Sequence, residues 1–276
     1  MQFGLVNTIQ ENMKINRVIL STTNSPLYYD FWNPLSKVFK EKFGIEPTLV
    51  WLGTEQEYID SPLNDKYGDV YILEPNQNYG LAMQSTWALY WMTKHFPDDV
   101  CFIQGIDEVP LSKMFLVDKI AEYSNEDYIM LIADAYLPHH WTKEQSASPS
   151  GQHCAKGSTF NKIYKFEEQF KDEIDKICGA GVRAFWEDTA GRWGLDETYF
   201  SLRLREYEDQ SIIKSLDNFG LMVERRIECE RHKQPDYDLD RLNSGWYSQG
   251  HLCRPFANHV EWLTKLYSDI PVWTTK

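Results

Sequence analysis

Short apolar runs rich in β-branched residues alternate, along the first half of the chain, with longer segments whose apolar residues recur at helical spacing. Each run stops at glycine, proline or polar residues, which predicts buried strands followed by turns. Helices are predicted over residues 28–43 and 79–96, with Gly44 as the stop of the first. The predicted strands are RVILST at 17–22, PTLVWLG at 47–53, DVYILE at 69–74, VCFIQGID at 100–107 and DYIMLIADAYL at 127–137. This alternation predicts an α/β fold with a mostly parallel sheet flanked by helices.

The second half of the chain is less regular. The hydrophobic period disappears over residues 139–159, and a polar loop of this length is usually functional or mobile. One or two strands are predicted within residues 212–227, and residues 228–250 are predicted to be irregular. Further helices are predicted over residues 112–123, 160–178, 196–208 and 257–267. We expect the 276 residues to form a single domain.

Composition and charge exclude several classes of protein. Lys and Arg number 28 against 41 Asp and Glu, a net charge of -13, which disfavours nucleic acid as the main partner. Five cysteines without a CxxC pair indicate neither a disulfide framework nor a zinc ribbon. No apolar run approaches the roughly 20 residues of a membrane span, and residues 1–15 lack the pattern of a signal peptide. We therefore expect a cytoplasmic protein without a membrane span.

Polar residues follow the first and fourth predicted strands, which usually lie side by side in such sheets. After the first strand come Ser21, Thr22, Thr23 and Asn24, and after the fourth come Gly105, Ile106, Asp107 and Glu108. We expect these two turns to line one crevice. Carboxylates at a strand end suit Mg²⁺ or Mn²⁺, which would in turn bind substrate phosphates. The alternative is a solvated turn before the helix at 112–123.

Two later stretches carry further candidates. In RWGLDETYFSLRL, residues 192–204, Asp196 caps a predicted helix and Glu197 lies in its first turn. One of these two carboxylates is a candidate general base, and Asp196 is preferred to Glu197. In GHLCRPF, residues 250–256, His251 is a candidate metal ligand and Arg254 a candidate phosphate clamp. A structural role for a lone histidine is the alternative.

These segments together, from RVILSTTNSP through FIQGIDEVPLSKMF and WGLDETYFS to HLCRPF, resemble glycosyltransferases of the GT-A type found in bacteria and viruses. The resemblance implies a GT-A-like (Rossmann-like), mixed but mostly parallel sheet. It divides the single domain 1–276 into a nucleotide-sugar-binding half at 1–137 and an acceptor-side half at 138–276. Gly105 departs from the family's Asp-x-Asp turn, in which the first position is acidic.

The resemblance also assigns roles to the candidate residues. Gln84, on the helix after the third strand, is added as a candidate to face the donor, and a solvated helix face is the alternative. The long loop begins with Tyr136, His139, His140 and Trp141, aromatic and polar side chains suited to packing on an acceptor sugar. The implied donor site is Ser21, Thr22, Thr23, Asn24, Gln84, Asp107 and Arg254; the metal site is Asp107, Glu108 and His251; the catalytic residues are Asp196 and Glu197; the acceptor site is His140, Trp141 and Trp193.

The implied function is transfer of a sugar from a nucleotide-sugar donor to an acceptor hydroxyl in glycan biosynthesis, inverting and assisted by Mn²⁺ or Mg²⁺. Because Gly105 stands where the family has an acidic residue, the first alternative is a protein of the same fold that binds a sugar nucleotide or a glycan but has lost catalysis. A nucleotidyltransferase is a second alternative, disfavoured because STTNSP has neither the glycine nor the basic residue of a triphosphate loop. Neither GxxxxGK[ST] nor GxGxxG occurs, which excludes P-loop and dinucleotide-binding enzymes.

Overall fold

The computed structural model describes residues 11–131, 152–181, 195–215, 226–228, 237–247, 249–252 and 259–269. Ten strands in these ranges form a seven-stranded and a three-stranded sheet. The strands are β1 Arg17–Thr23, β2 Glu46–Leu52, β3 Asp69–Leu73, β4 Val100–Ile103, β5 Glu108–Pro110, β6 Tyr128–Met130, β7 His153–Lys156, β8 Ile213–Ser215, β9 Arg226–Glu228 and β10 Gln249–His251.

The large sheet has the order β3-β2-β1-β4-β7-β6-β8. Strands β1 to β4 run parallel, β7 is antiparallel to both β4 and β6, and β8 is parallel to β6. The mixed, mostly parallel sheet flanked by helices is thus confirmed, and so is the predicted neighbourhood of the first and fourth strands. In the small sheet, β10 pairs antiparallel with β5 and parallel with β9.

Two of the predicted helices are each divided into shorter ones. The α-helices of the described ranges are α1 Pro26–Tyr29, α2 Trp32–Val38, α3 Glu55–Ile59, α4 Leu81–Met92, α5 Gly157–Tyr164, α6 Phe170–Gly179, α7 Leu195–Glu206, α8 Leu239–Asn243 and α9 Val260–Asp269. The predicted helix at 28–43 is split, and its last turn, Phe39–Phe43, is π-helical and ends as predicted at Gly44, with φ 68°. The predicted helix at 160–178 is two helices, because Lys165 adopts a left-handed φ of 51°.

Three elements correct the sequence prediction. The predicted helix at 112–123 is a π-helix, Met114–Lys119, followed by the 3₁₀ turn Ile120–Glu122. Strand β7 lies in the stretch predicted to be a polar loop, and β10 in the stretch predicted to be irregular. Both strands are too short to show a period of their own, and they are stabilised by pairing with distant strands. None of the described helices is long and apolar enough to cross a membrane.

Two hydrophobic cores cover the two faces of the large sheet, because successive side chains along each strand point to opposite faces. Val18, Leu20 and Phe102 belong to one core, whereas Ile19 and Ile103 belong to the other. The small sheet contributes its own residues, among them Val109 and Ile227, to the first core. The small sheet therefore packs on one face of the large one.

The second core contains a buried polar network. The hydroxyls of Tyr90 and Tyr128 lie 2.9 and 2.6 Å from His153 Nδ1, and the Tyr128 hydroxyl lies 2.7 Å from that of Tyr164. The Phe200 ring of α7 stacks on Tyr90 with a centroid distance of 3.7 Å. Burial lowers the pKa of His153 to about 3, because the charged imidazolium is poorly solvated there.

Protonation of His153 is expected to make the stability pH-dependent. The unfolded imidazole binds a proton below about pH 6.5, whereas the native one resists it until about pH 3. The unfolded chain therefore binds more protons in this window, and the free energy of unfolding falls by up to about 1.4 kcal/mol per pH unit as pH decreases.

His153→Gln should change the free energy of unfolding at neutral pH and also make it fall less steeply as the pH decreases, because the contribution of His153 to the slope is removed. Urea unfolding between pH 7.5 and 4.5 would measure both effects. Parallel curves for the two proteins would show that the histidine is not held neutral.

Candidate active site

The acidic turn after β4 is folded tightly against the beginning of β5. The Glu108 backbone N–H donates to the Gly105 carbonyl at 3.2 Å, and the Gln104 side chain donates to the Glu108 carbonyl at 2.7 Å. The turn is present as the alternative reading proposed, but it is not solvated at Asp107, whose side chain is 13% exposed. It leads into β5 and not directly into a helix.

The small sheet brings His251 to Asp107. In the pairing of β10 with β5, His251 lies opposite Glu108, and the Leu252 N–H donates to the Asp107 carbonyl at 2.9 Å. The His251 Nε2 atom then lies 3.7 Å from Asp107 Oδ2. Of the three residues predicted as metal ligands, the side chains of Asp107 and His251 thus lie close together, and Glu108 is their neighbour in the backbone pairing.

Gly105 leaves the space that the Asp107 carboxylate uses. A Cβ atom at position 105 would lie 3.0 Å from Asp107 Oδ1 and 3.6 Å from Glu108 Cγ. Any side chain at this position would press on the Asp107 carboxylate. The glycine therefore leaves room for the carboxylate in its observed orientation.

The atoms of Asp107 and His251 fit part of a metal site. A carboxylate oxygen and an imidazole nitrogen are ligands that Mn²⁺ accepts, and their 3.7 Å separation allows both to bind one ion. Across the described ranges, no group of three or more His, Cys, Asp or Glu side chains is arranged to hold a metal. The two residues would thus need further ligands, such as the oxygens of a bound phosphate.

The turn after β1 divides into buried and accessible residues. Ser21 and Thr22 are buried, and the Ser21 hydroxyl donates to the Ser85 carbonyl of α4 at 2.6 Å, which attaches that helix to β1. Thr23 is half-buried and Asn24 is exposed. These two residues are the part of the predicted donor turn that offers surface to a ligand.

The end of β2 adds a carboxylate that the sequence analysis did not single out. Glu57 forms a capping box with Thr54 at the start of α3, and its Oε1 lies 3.4 Å from the Asn24 amide nitrogen. Hydrogen bonds from the Thr54 backbone and side chain, and from Asn24, lower the pKa of Glu57. The T-x-x-E pattern at 54–57 is the sequence signal that identifies this residue.

Gln84 is held by the backbone of the loop that precedes its helix. Its side chain is fully buried, accepts from the Asn76 N–H at 2.8 Å and donates to the carbonyls of Asn76 and Tyr79 at 2.8 and 3.0 Å. The alternative of a solvated helix face is wrong. The observed contacts give Gln84 a structural role, and its contact with a donor stays a prediction.

The remaining predicted residues are described only in part. Asp196 and Glu197 are the second and third residues of α7, inside its first turn rather than at the cap. His140, Trp141, Trp193 and Arg254 lie outside the described residues, as do Tyr136 and His139. Helix α7 is held to the core by the stacking of Phe200 on Tyr90.

A cavity of about 430 Å³ lies elsewhere, between α5, α6 and α7. Its walls include Tyr199, Arg203 and Glu206 from α7, and burial raises the pKa of Tyr199 to about 12. None of the predicted site residues lines this cavity. It is a separate feature of the helical layer.

No protein family model matches the sequence, and no curated protein matches it. Among solved structures, the galactosyltransferase LgtC, in complex with donor and acceptor sugar analogues, is 12% identical over 94% of this chain and 97% of its own, with a TM-score of 0.50.

Two further solved structures are similar with lower scores. The glycosyltransferase GlyE of Streptococcus pneumoniae is 10% identical over 75% of this chain, with a TM-score of 0.40, and the chain spans 46% of GlyE. A glycosyltransferase involved in glycosylation of the major capsid of PBCV-1 is 12% identical over 90% of this chain and 98% of its own, with a TM-score of 0.41.

The likeness to LgtC and the sheet order establish the fold of the chain as that of GT-A glycosyltransferases. At this level of identity, the likeness defines the architecture, and the chemistry must be argued from the site.

The contacts of Gln84 predict a stability effect. Gln84→Met keeps the volume but leaves the buried Asn76 N–H without its partner and removes one hydrogen bond from each of the Asn76 and Tyr79 carbonyls, so the free energy of unfolding should fall by about 1–3 kcal/mol. Urea unfolding would measure it. An unchanged unfolding midpoint would contradict the structural role.

Proposed function

We propose that this protein is a glycosyltransferase that moves a sugar from a nucleotide-sugar donor to a hydroxyl of an acceptor. The observation that carries the proposal is the meeting of Asp107 and His251 at the carboxyl end of β4, the strand that pairs with β1. Ligands of open α/β sheets bind at this edge. In a GT-A fold it is a suitable place for a nucleoside diphosphate.

The donor would lie along the two neighbouring strand ends. Thr23 and Asn24 offer polar atoms to the nucleoside. Asp107 and His251 would hold Mn²⁺ or Mg²⁺, and Glu108, the next residue along the chain, is the third proposed ligand. The chain carries a net charge of -13, which repels an anionic donor. A divalent cation supplies the positive charge that stabilises the departing diphosphate, and Arg254 is the proposed protein group for the same task.

Catalysis is assigned to the first turn of α7. Asp196, or Glu197 in its place, would take the proton from the acceptor hydroxyl as general base. The acceptor oxygen then attacks the anomeric carbon, the bond from that carbon to the diphosphate oxygen breaks, and the diphosphate leaves with the electron pair. This single displacement inverts the anomeric configuration. His140, Trp141 and Trp193 are the proposed acceptor contacts.

A binding protein that has lost catalysis is the second candidate, and Gly105 favours it. The turn carries a single carboxylate at the two positions where the family has two, and the Asp107 carboxylate lies against Gly105. Such a protein would bind nucleotide sugars without cleaving them. The two candidates differ in their effect on a bound donor. Slow release of free sugar from the nucleotide sugar, detected by chromatography, would indicate the enzyme, and an intact donor would indicate the binding protein.

Metal-assisted donor binding should be visible as thermal stabilisation. At a nucleoside diphosphate concentration about 100 times the Kd, Mn²⁺ is expected to raise the melting temperature by about 5 °C, whereas the nucleotide with EDTA should not. Asp107→Asn and His251→Gln should abolish the shift, because each removes a proposed ligand. Glu122→Gln, in the exposed pair with Lys119, is the matched control. A wild-type protein that Mn²⁺ and the full set of nucleoside diphosphates leave unshifted would contradict the donor site.

The general base predicts a selective loss of turnover. Asp196→Asn is expected to lower kcat by about 10²–10⁴-fold with little change in donor affinity, and Glu197→Gln to lower it less. Glu206→Gln, at the other end of the same helix, serves as the control. Proton NMR of the anomeric centre should show inversion in the product. Retention of the donor configuration would exclude the single displacement.

A further inference from the structure

Two buried glutamines meet where the small sheet packs against the end of β4. Gln152 is 1% exposed and Gln249 is 7% exposed, and the Gln152 Nε2 donates to Gln249 Oε1 at 2.8 Å. Within the part of the chain that the structure describes, the other two amide atoms, Gln152 Oε1 and Gln249 Nε2, are closed off from solvent and have no hydrogen-bond partner. Buried polar groups without partners are rare because they cost free energy.

The amide pair presents one acceptor and one donor. If both amides are rotated by 180°, the bond between them is kept and the pair again leaves one acceptor and one donor. A phosphate or carboxylate oxygen only accepts, and an ammonium group only donates. A hydroxyl does both, so an alcohol group satisfies the two atoms together, as a water molecule also does.

The amide pair lies close to the proposed diphosphate site. The Gln152 N–H donates to the carbonyl of Ile103, the last residue of β4, at 2.5 Å. Gln249 and His251 are two residues apart on β10, so their side chains share a face and their Cα atoms are about 7 Å apart. His251 itself contacts Asp107. A sugar attached to a diphosphate at Asp107 and His251 would have to extend over about this distance for one of its hydroxyls to meet the pair.

We propose that the Gln152–Gln249 pair binds a hydroxyl of the transferred sugar and so contributes to the choice of donor sugar. The inference rests on the proposed function and deepens it, since it assigns sugar selectivity to two residues that no motif marks. A site built to pair with a hydroxyl rejects analogues without it, because its own polar atoms are then left buried and unpaired.

The test uses the double variant Gln152→Met/Gln249→Met. Replacing both partners of a buried pair by apolar groups of similar shape is nearly neutral for stability, so the variant should fold. Calorimetric titration in Mn²⁺ compares UDP and GDP with UDP-glucose, UDP-galactose, UDP-N-acetylglucosamine and GDP-mannose, and then with deoxy-sugar analogues of the tightest binder. Tyr128→Phe, which removes buried hydrogen bonds in the other core, controls for general destabilisation.

Wild-type protein is expected to bind one nucleotide sugar at least tenfold more tightly than its deoxy analogue. The double variant should lose that preference while its affinity for the nucleoside diphosphate changes less than twofold, and Tyr128→Phe should keep both.

If the double variant keeps the preference for the nucleotide sugar over its deoxy analogue, the inference is wrong, and the two amides are bridged by a buried water molecule instead. An equal loss for the nucleoside diphosphate would also overturn the inference, because the pair would then act on another part of the donor. If wild-type protein binds neither nucleoside diphosphates nor nucleotide sugars, the proposed function fails as well.

Discussion

The candidate site depends on the pairing of β10 with β5. Asp107 and His251 are far apart along the chain, and they meet because His251 lies opposite Glu108 and the Leu252 N–H bonds the Asp107 carbonyl. These backbone hydrogen bonds fix the imidazole beside the carboxylate to within the reach of one ion. A Cβ atom at Gly105 would lie 3.0 Å from Asp107 Oδ1, so a side chain there would require a small shift of the carboxylate. The small sheet is thus the element that brings a histidine to the acidic turn.

Electrostatics favours a cation at the proposed donor site. A nucleotide sugar brings negative charge to a protein whose net charge is -13. The two residues at the turn are a carboxylate and an imidazole, which bind metals well and phosphates poorly by themselves. In the proposed donor complex, a divalent ion held between protein and diphosphate would remove this conflict. The same reasoning makes Gly105 informative, because a site with one carboxylate fewer holds its ion less tightly.

The two hydrophobic cores hold different elements in place. The first core packs the small sheet against the large one, and the second holds the helices through the Tyr90, Tyr128 and His153 network. Phe200, stacked on Tyr90, attaches α7 to that network, so the turn carrying Asp196 is tied to the sheet. The Gln152–Gln249 pair lies between the two sheets, and each of its amides keeps one buried atom without a hydrogen-bond partner among the described residues.

The sequence by itself determined the strands β1 to β4, their parallel order and the edge at which β1 and β4 end, because each is a continuous apolar run stopped by turn residues. The sequence also indicated Asp107, Glu108 and His251 as candidate metal ligands. Nothing in the GHLCRPF segment itself shows that this segment pairs with residues 108–110. Tertiary structure alone decided that Ser21 and Gln84 are buried by their partners, and that β7 and β10 are strands. Short strands and buried amides acquire their roles from neighbours distant in sequence, and the energies of those contacts leave no local pattern.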